Sequence, residues 1–210
     1  PAIISIILSL GVQKMAQHKA IIRKLPTVET LGAMTVICSD KTGTLTMNEM
    51  TVQTIITADR ILQVEGNSYE PVGRIYEQDP SSPVVVTPGK LLERYFRAID
   101  LCNDSQLFQD ENQLWRIAGN PTEGALKTLA KKVVLPETQT EFLSTIPFDS
   151  QYKYMAALYR LAGEEMIFLT GAPDVLLRLC QYQQTDQGLE PINPAYWEAK
   201  IEEYAQKGLR

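Results

Sequence analysis

Apolar side chains recur at helical spacing in several stretches of this chain and crowd at strand density in others. Leu91, Leu92, Tyr95, Phe96, Ile99 and Cys102 form one stripe of an amphipathic helix, which Asn103-Asp104-Ser105 then ends. Asn120, Pro121 and Glu123 fit the cap, first and third positions of a second helix. Ala125, Leu126, Leu129, Ala130 and Val133 continue its buried face. Residues 173–180 and 194–208 read as further helices, the last with Tyr196, Trp197, Ile201 and Tyr204 on its apolar side. Residues 50–58 and 60–65 are rich in Val, Ile and Thr around Asp59 and predict two strands joined by a tight turn. The Gly and Pro density of residues 66–90 predicts loops, with one short strand at 84–86. Residues 114–118 read as a strand and 145–148 as a short extended piece. Residues 153–161 and 166–170 flank a turn at Gly163 and are apolar enough for the centre of a sheet. Residues 34–38, Met-Thr-Val-Ile-Cys, predict a short buried strand.

Composition narrows the class. The chain has 210 residues, 44% hydrophobic and 21% charged, which is ordinary for a globular protein able to bury a core. Its net charge of −5 offers no basic excess for nucleic acid. Cys38, Cys102 and Cys180 are widely spaced and form no CxxC, so neither a disulfide framework nor a zinc site is indicated. Residues 1–12 are strongly apolar and are followed by Lys14, His18, Lys19, Arg23 and Lys24. The run is shorter than the roughly 20 residues of a membrane span and lacks the features of a signal peptide. An apolar run followed by basic residues fits the cytoplasmic end of a transmembrane helix, and a buried N-terminal helix is the alternative.

Candidate chemistry concentrates in Asp40-Lys41-Thr42-Gly43-Thr44-Leu45-Thr46, directly after the 34–38 run. Ligands of open α/β sheets sit at the carboxyl ends of strands. Gly43 allows close backbone approach to a bound group, the threonines supply hydroxyls, and Lys41 is a point charge suited to phosphate. Asp40 in such a turn is placed to act as the nucleophile of an aspartyl-phosphate reaction. An Asp-initiated turn of ordinary turn residues is the plainer alternative.

This string, with Leu25-Pro26-Thr27-Val28-Glu29-Thr30-Leu31-Gly32 before it and Met47-Asn48 after it, resembles the phosphorylation site of P-type ATPases. The context is most similar to the type II, calcium-pump-like members. Leu101-Cys102-Asn103-Asp104, Gly119-Asn120-Pro121-Thr122-Glu123-Gly124-Ala125-Leu126 and Gly171-Ala172-Pro173 follow in the family's order, so the resemblance covers nearly the whole chain. It implies that Asp40 is phosphorylated by ATP, that Lys41 and Thr44 hold the phosphate, and that Asp40 and a Thr42 backbone carbonyl are part of an incomplete Mg²⁺ site. It further implies that Phe148 stacks on adenine, Lys153 lines the pocket, Glu123 contacts the base, and Gly171 lets the backbone approach the nucleotide. Arg210 would reach the phosphates. A capping-box role is the competing reading of Glu123.

Two departures from the family pattern remove positive charge from the expected pocket. Thr170 stands where a lysine is usual, and Asp149-Ser150-Gln151-Tyr152 lacks the common basic residue. No His-Pro pair of the heavy-metal pumps occurs.

The implied fold class is α/β. Residues 1–32 would end a transmembrane helix and form a stalk, with Pro1 closing the proline-containing motif of the ion site. The chain would thus begin inside that helix. Residues 33–48 would open a Rossmann-like phosphorylation domain whose other half lies outside the chain. Residues 49–210 would be most of an inserted α+β nucleotide-binding domain, an antiparallel sheet flanked by helices. The whole protein would be an ATP-driven cation pump of a membrane, with this segment on the cytoplasmic side. Its partners would be adenine nucleotide and a cation bound elsewhere. A haloacid dehalogenase-type phosphatase is a rival, but that family's second aspartate is replaced here by Thr42. A nucleotide-binding module without catalysis of its own is the other rival.

Overall fold

The computed structural model describes residues 2–209, and the chain divides into two compact units after Met47. Pro1 and Arg210, and the roles expected of them, lie outside the described residues.

In the first unit the apolar run becomes α1 (Ala2–Gln17), and α2 (Thr27–Gly32) follows. Ile3, Ile4, Ile6, Ile7 and Leu10 of α1 are exposed. Among the described residues no helix is long and apolar enough to cross a membrane. The strand expected at 34–38 does not form, and Val36 and Ile37 stand exposed. β-branched residues favour a strand only where a neighbouring strand takes up the backbone N–H and C=O groups. None of the described residues does so here.

The second unit, Asn48–Arg210, is an α/β assembly of small antiparallel sheets flanked by helices. β1 (Thr54–Ile56) and β2 (Ile61–Val64) pair as the expected hairpin, and β3 (Ile75–Tyr76) adds to β2. The short strand expected at 84–86 is absent: the segment makes a bridge at Tyr76–Pro83 and a Val84-to-Ile75 hydrogen bond, and the strand forms at Ile75–Tyr76 instead. Pro83 cannot donate to a ladder, which limits the pairing there. α3 (Leu91–Leu101) buries Leu92, Phe96 and Ile99, one face at i, i+4 and i+7. β4 (Gln106–Gln109) and β5 (Trp115–Ala118) form a hairpin that leads into α4 (Pro121–Lys131). The Asn120 side chain accepts the Thr122 N–H at 2.8 Å, and Pro121 opens the helix where its missing N–H has no partner to lose.

β6 (Thr140–Asp149), β7 (Tyr154–Leu161) and β8 (Glu164–Gly171) make the largest sheet, with β7 in the middle. β6 is far longer than the short piece expected at 145–148, and two irregularities in its pairing, at 142–144 and 146–149, mask the strand period. α5 (Pro173–Leu179), the hairpin β9 (Tyr182–Thr185) and β10 (Gly188–Pro191), and α6 (Pro194–Gln206) complete the order. One core cluster packs Ile55, Leu62, Val64 and Ile75 against Leu92, Phe96 and Ile99 of α3 and Leu129 of α4. The other joins Cys102 at the end of α3 to Met155, Ala157, Leu161 and Phe168 of the largest sheet. α3 therefore belongs to both clusters, and its last turn is held against one face of β7 and β8.

Candidate functional site

The expected catalytic residues lie in the first unit. Asp40 has extended backbone (φ −69°, ψ 147°) and leads into a single turn over Lys41–Leu45. The turn closes when Thr46 donates to the Lys41 carbonyl from its N–H (3.1 Å) and from its hydroxyl (3.3 Å). Gly43 sits at φ +72°, where an L side chain is strained, yet a Cβ there would touch nothing within 4 Å. The glycine is thus required within this chain by backbone conformation. Asp40, Lys41, Thr42 and Thr44 are exposed, so the turn presents a carboxylate, an ammonium and hydroxyls together. Among the described residues no group of three or more His, Cys, Asp or Glu is arranged for a metal. A carboxylate at Asp40 and a carbonyl at Thr42 are oxygen donors of the kind Mg²⁺ takes beside waters and substrate phosphate.

The expected nucleotide residues described here lie in the second unit, and hydrogen bonds link the segments that carry four of them. Lys153 ends the turn between β6 and β7: its N–H donates to Asp149 O at 2.7 Å, and Asp149 Oδ1 accepts the Gln151 N–H at 2.7 Å. The Lys153 carbonyl in turn accepts the Ala172 N–H at 2.9 Å, joining this turn to Gly171-Ala172. Gly171 pairs with Tyr154 across the sheet, and a Cβ on Gly171 would stand 2.5 Å from Lys153 O and 2.6 Å from Tyr154 Cα. The close approach that Gly171 permits is therefore that of its own neighbouring strand. Phe148, on β6 one residue before Asp149, is 54% exposed, a large cost for an aromatic ring unless something covers it.

Thr170, the residue before Gly171, turns towards the end of α3. Its hydroxyl donates to Cys102 O at 3.3 Å, with Cys102 Sγ at 3.6 Å. Burial pushes the Cys102 thiol up, so it stays protonated at neutral pH, and it lies 3.7 Å from Met155 O as a donor. The loop after Cys102 reaches α4. Asn103 Nδ2 donates to Glu123 O at 2.8 Å, and the Asp104 N–H donates to Glu123 Oε2 at 3.3 Å. The capping-box reading of Glu123 is corrected here: its carboxylate takes a donor from the 102–105 loop, which is packed against it, and not the Asn120 N–H. The Leu101–Asp104 motif was visible in the sequence, but the side-chain links from Cys102 to Thr170 and from Asn103 to Glu123 were not, because their partners are distant along the chain.

Residues 91–210 match the family model described as P-type ATPase, cytoplasmic domain N, and the chain belongs to that family. It is 39% identical over its full length to the cation-transporting ATPase pma1 of Synechocystis sp., covering 24% of that protein. It is 39% identical over 85% of its length to a calcium-transporting ATPase of Bacillus subtilis, covering 20% of it. It is 37% identical over 86% of its length to calcium-transporting ATPase type 2C member 1 of Bos taurus, covering 19% of it. The chain thus spans about a quarter or less of the length of these relatives.

Proposed function

We propose that the whole protein is an ATP-driven cation-transporting pump of a membrane, and that this chain carries its adenine-nucleotide site and the aspartate that receives the phosphoryl group. Residues 1–32 would be the cytoplasmic end of a membrane helix and its stalk, 33–48 the start of the phosphorylation domain, and 49–210 most of the nucleotide-binding domain. The observation that carries the nucleotide reading is the hydrogen-bonded run from Lys153 through Gly171 and Thr170 to Cys102, Asn103 and Glu123, with Phe148 exposed on the adjoining strand. An aromatic face, an ammonium and a carboxylate acceptor are the three groups that a purine with a phosphate tail needs: stacking, charge and a partner for the base edge.

The bond made is between an Asp40 carboxylate oxygen and the γ-phosphorus, and the bond broken is from that phosphorus to the β–γ bridging oxygen. The electron pair leaves with ADP. ADP is a good leaving group and needs no proton, which is consistent with Thr42 in place of a general acid. Lys41 and Thr44 would hold the transferred phosphoryl oxygens. Asp40 and the Thr42 carbonyl would hold Mg²⁺, whose chemistry there would be charge neutralisation on the phosphate oxygens.

Titration of ATP into wild type and Phe148→Ala tests the nucleotide reading. Loss of a stacked base should cost about 1–3 kcal/mol of affinity. Equal affinities in two folded proteins would remove Phe148 from the site.

A further inference from the structure

We propose that Asn103 is a positioning residue which fixes the Glu123 carboxylate so that its free oxygen selects a purine with an amino group in place of guanine's ring carbonyl, as in adenine. The proposal rests on the base contact assigned above to Glu123. Asn103 spends its whole amide on this junction. Its Nδ2 donates to Glu123 O at 2.8 Å and lies 3.3 Å from Ile99 O in the last turn of α3, and its Oδ1 accepts the Ser105 N–H at 2.9 Å. The amide thereby ties the end of α3 to the first turn of α4 and folds the 103–105 backbone over Glu123. In that conformation the Asp104 N–H points to Glu123 Oε2 at 3.3 Å, with Ser105 Oγ 3.5 Å from the same oxygen. Ser105 Oγ also lies 3.3 Å from Asn120 O, the capping residue of α4. Gly119 leaves room for this: a Cβ there would come within 3.0 Å of Ser105 Cα.

Both loop donors fall on Oε2, and no described residue donates to Oε1. A half-buried carboxylate with one oxygen pinned and the other open accepts a donor from one direction. Adenine presents an exocyclic amino group at the ring position where guanine presents a carbonyl oxygen. A pinned carboxylate therefore attracts the first and repels the second, whereas a loose one can turn away. Without Asn103 the loop and the Glu123 side chain must be ordered at binding, and that cost falls on the adenine contact.

The test measures ATP and GTP affinity by calorimetry for wild type, Asn103→Ala, Glu123→Ala and the double variant of the 210-residue chain, with thermal melts alongside. Asn103→Ala is expected to lower ATP affinity about fivefold, the cost of ordering one side chain and its loop, without lowering GTP affinity. The double variant should lose no more than Glu123→Ala alone. A parallel fall for both nucleotides, or a loss that persists when Glu123 is already alanine, would overturn the proposal, since Asn103 would then only hold the fold. Unchanged ATP affinity in Glu123→Ala would overturn the base contact itself and the proposal with it, and that single variant tells this failure apart. If Asn103→Ala does not fold, Asn103→Asp keeps the size and the acceptor for Ser105 but loses the donor to Glu123. Its adenosine-over-guanosine preference, read without phosphates, should fall; an unaltered preference would overturn the proposal.

Discussion

The Thr170 hydroxyl donates to the backbone carbonyl of Cys102 across 3.3 Å, tying the end of β8 to the end of α3. The two residues are 68 apart in the chain. The hydroxyl at the position where the resemblance implies a lysine is thus already engaged, so its loss and its replacement by a charge are separable. Thr170→Val should cost about 1 kcal/mol in urea unfolding by leaving a half-buried carbonyl short of a donor. Thr170→Lys should pay that same cost in stability but tighten ATP binding by about 1.5–3 kcal/mol at low salt, the worth of a charge-assisted hydrogen bond. The gain should shrink with salt and be much smaller for adenosine. Unchanged ATP affinity in a folded Thr170→Lys protein would show that position 170 does not look onto the phosphates.

Gly171 is packed against Lys153 and Tyr154 so closely that a methyl group meets backbone rather than a flexible side-chain end. Gly171→Ala should therefore force β7 and β8 apart at that end and destabilise the unit by about 1–3 kcal/mol, as overpacking does. Chemical denaturation measures it. A fully stable variant would mean the strand pair yields at no cost.

Asp40 should be the residue that is labelled if this chain accepts a phosphoryl group at all. Among the described residues no group of three or more His, Cys, Asp or Glu is arranged to hold a metal. The 210-residue chain incubated with labelled ATP and Mg²⁺ is expected to show no acid-stable label above that of Asp40→Asn. Robust Asp40-dependent labelling would show that this segment suffices for the transfer.

Lys200 of α6 and Lys207 just after it each donate to Glu203 at 2.7 Å, and the Lys200 bond leads the effects that hold the Glu203 carboxyl down to about 2, from 4.5. A carboxylate whose pKa is lowered by folding adds stability above its unfolded pKa and loses it as pH falls through the folded one. The contribution should be complete above pH 4.5 and fade between there and about 2. Unfolding free energies measured across that window should fall more steeply for wild type than for Glu203→Gln. Parallel curves would show that the two lysines contribute nothing.

What the sequence determined by itself is what short-range chemistry controls. The start of α4 was legible because its cap joins Asn120 to Thr122, two residues on, and α3 was legible because its period survives in Leu92, Phe96 and Ile99. The Asp40–Thr46 string was legible for the same reason: its groups are contiguous, and its turn closes on itself through Lys41 and Thr46. Pairing decided the rest. Residues 34–38 have the composition of a strand but find no neighbour among the described residues, while the polar segments at β4 and β9 become strands because a hairpin partner lies beside each. Likewise the Glu123 carboxylate could be read as a capping-box acceptor until the fold brought Asp104 and Asn103 against that residue, 19 and 20 residues away along the chain. A hydrogen bond needs its partner within about 3 Å in space, and only the tertiary structure sets that distance for residues so far apart in sequence.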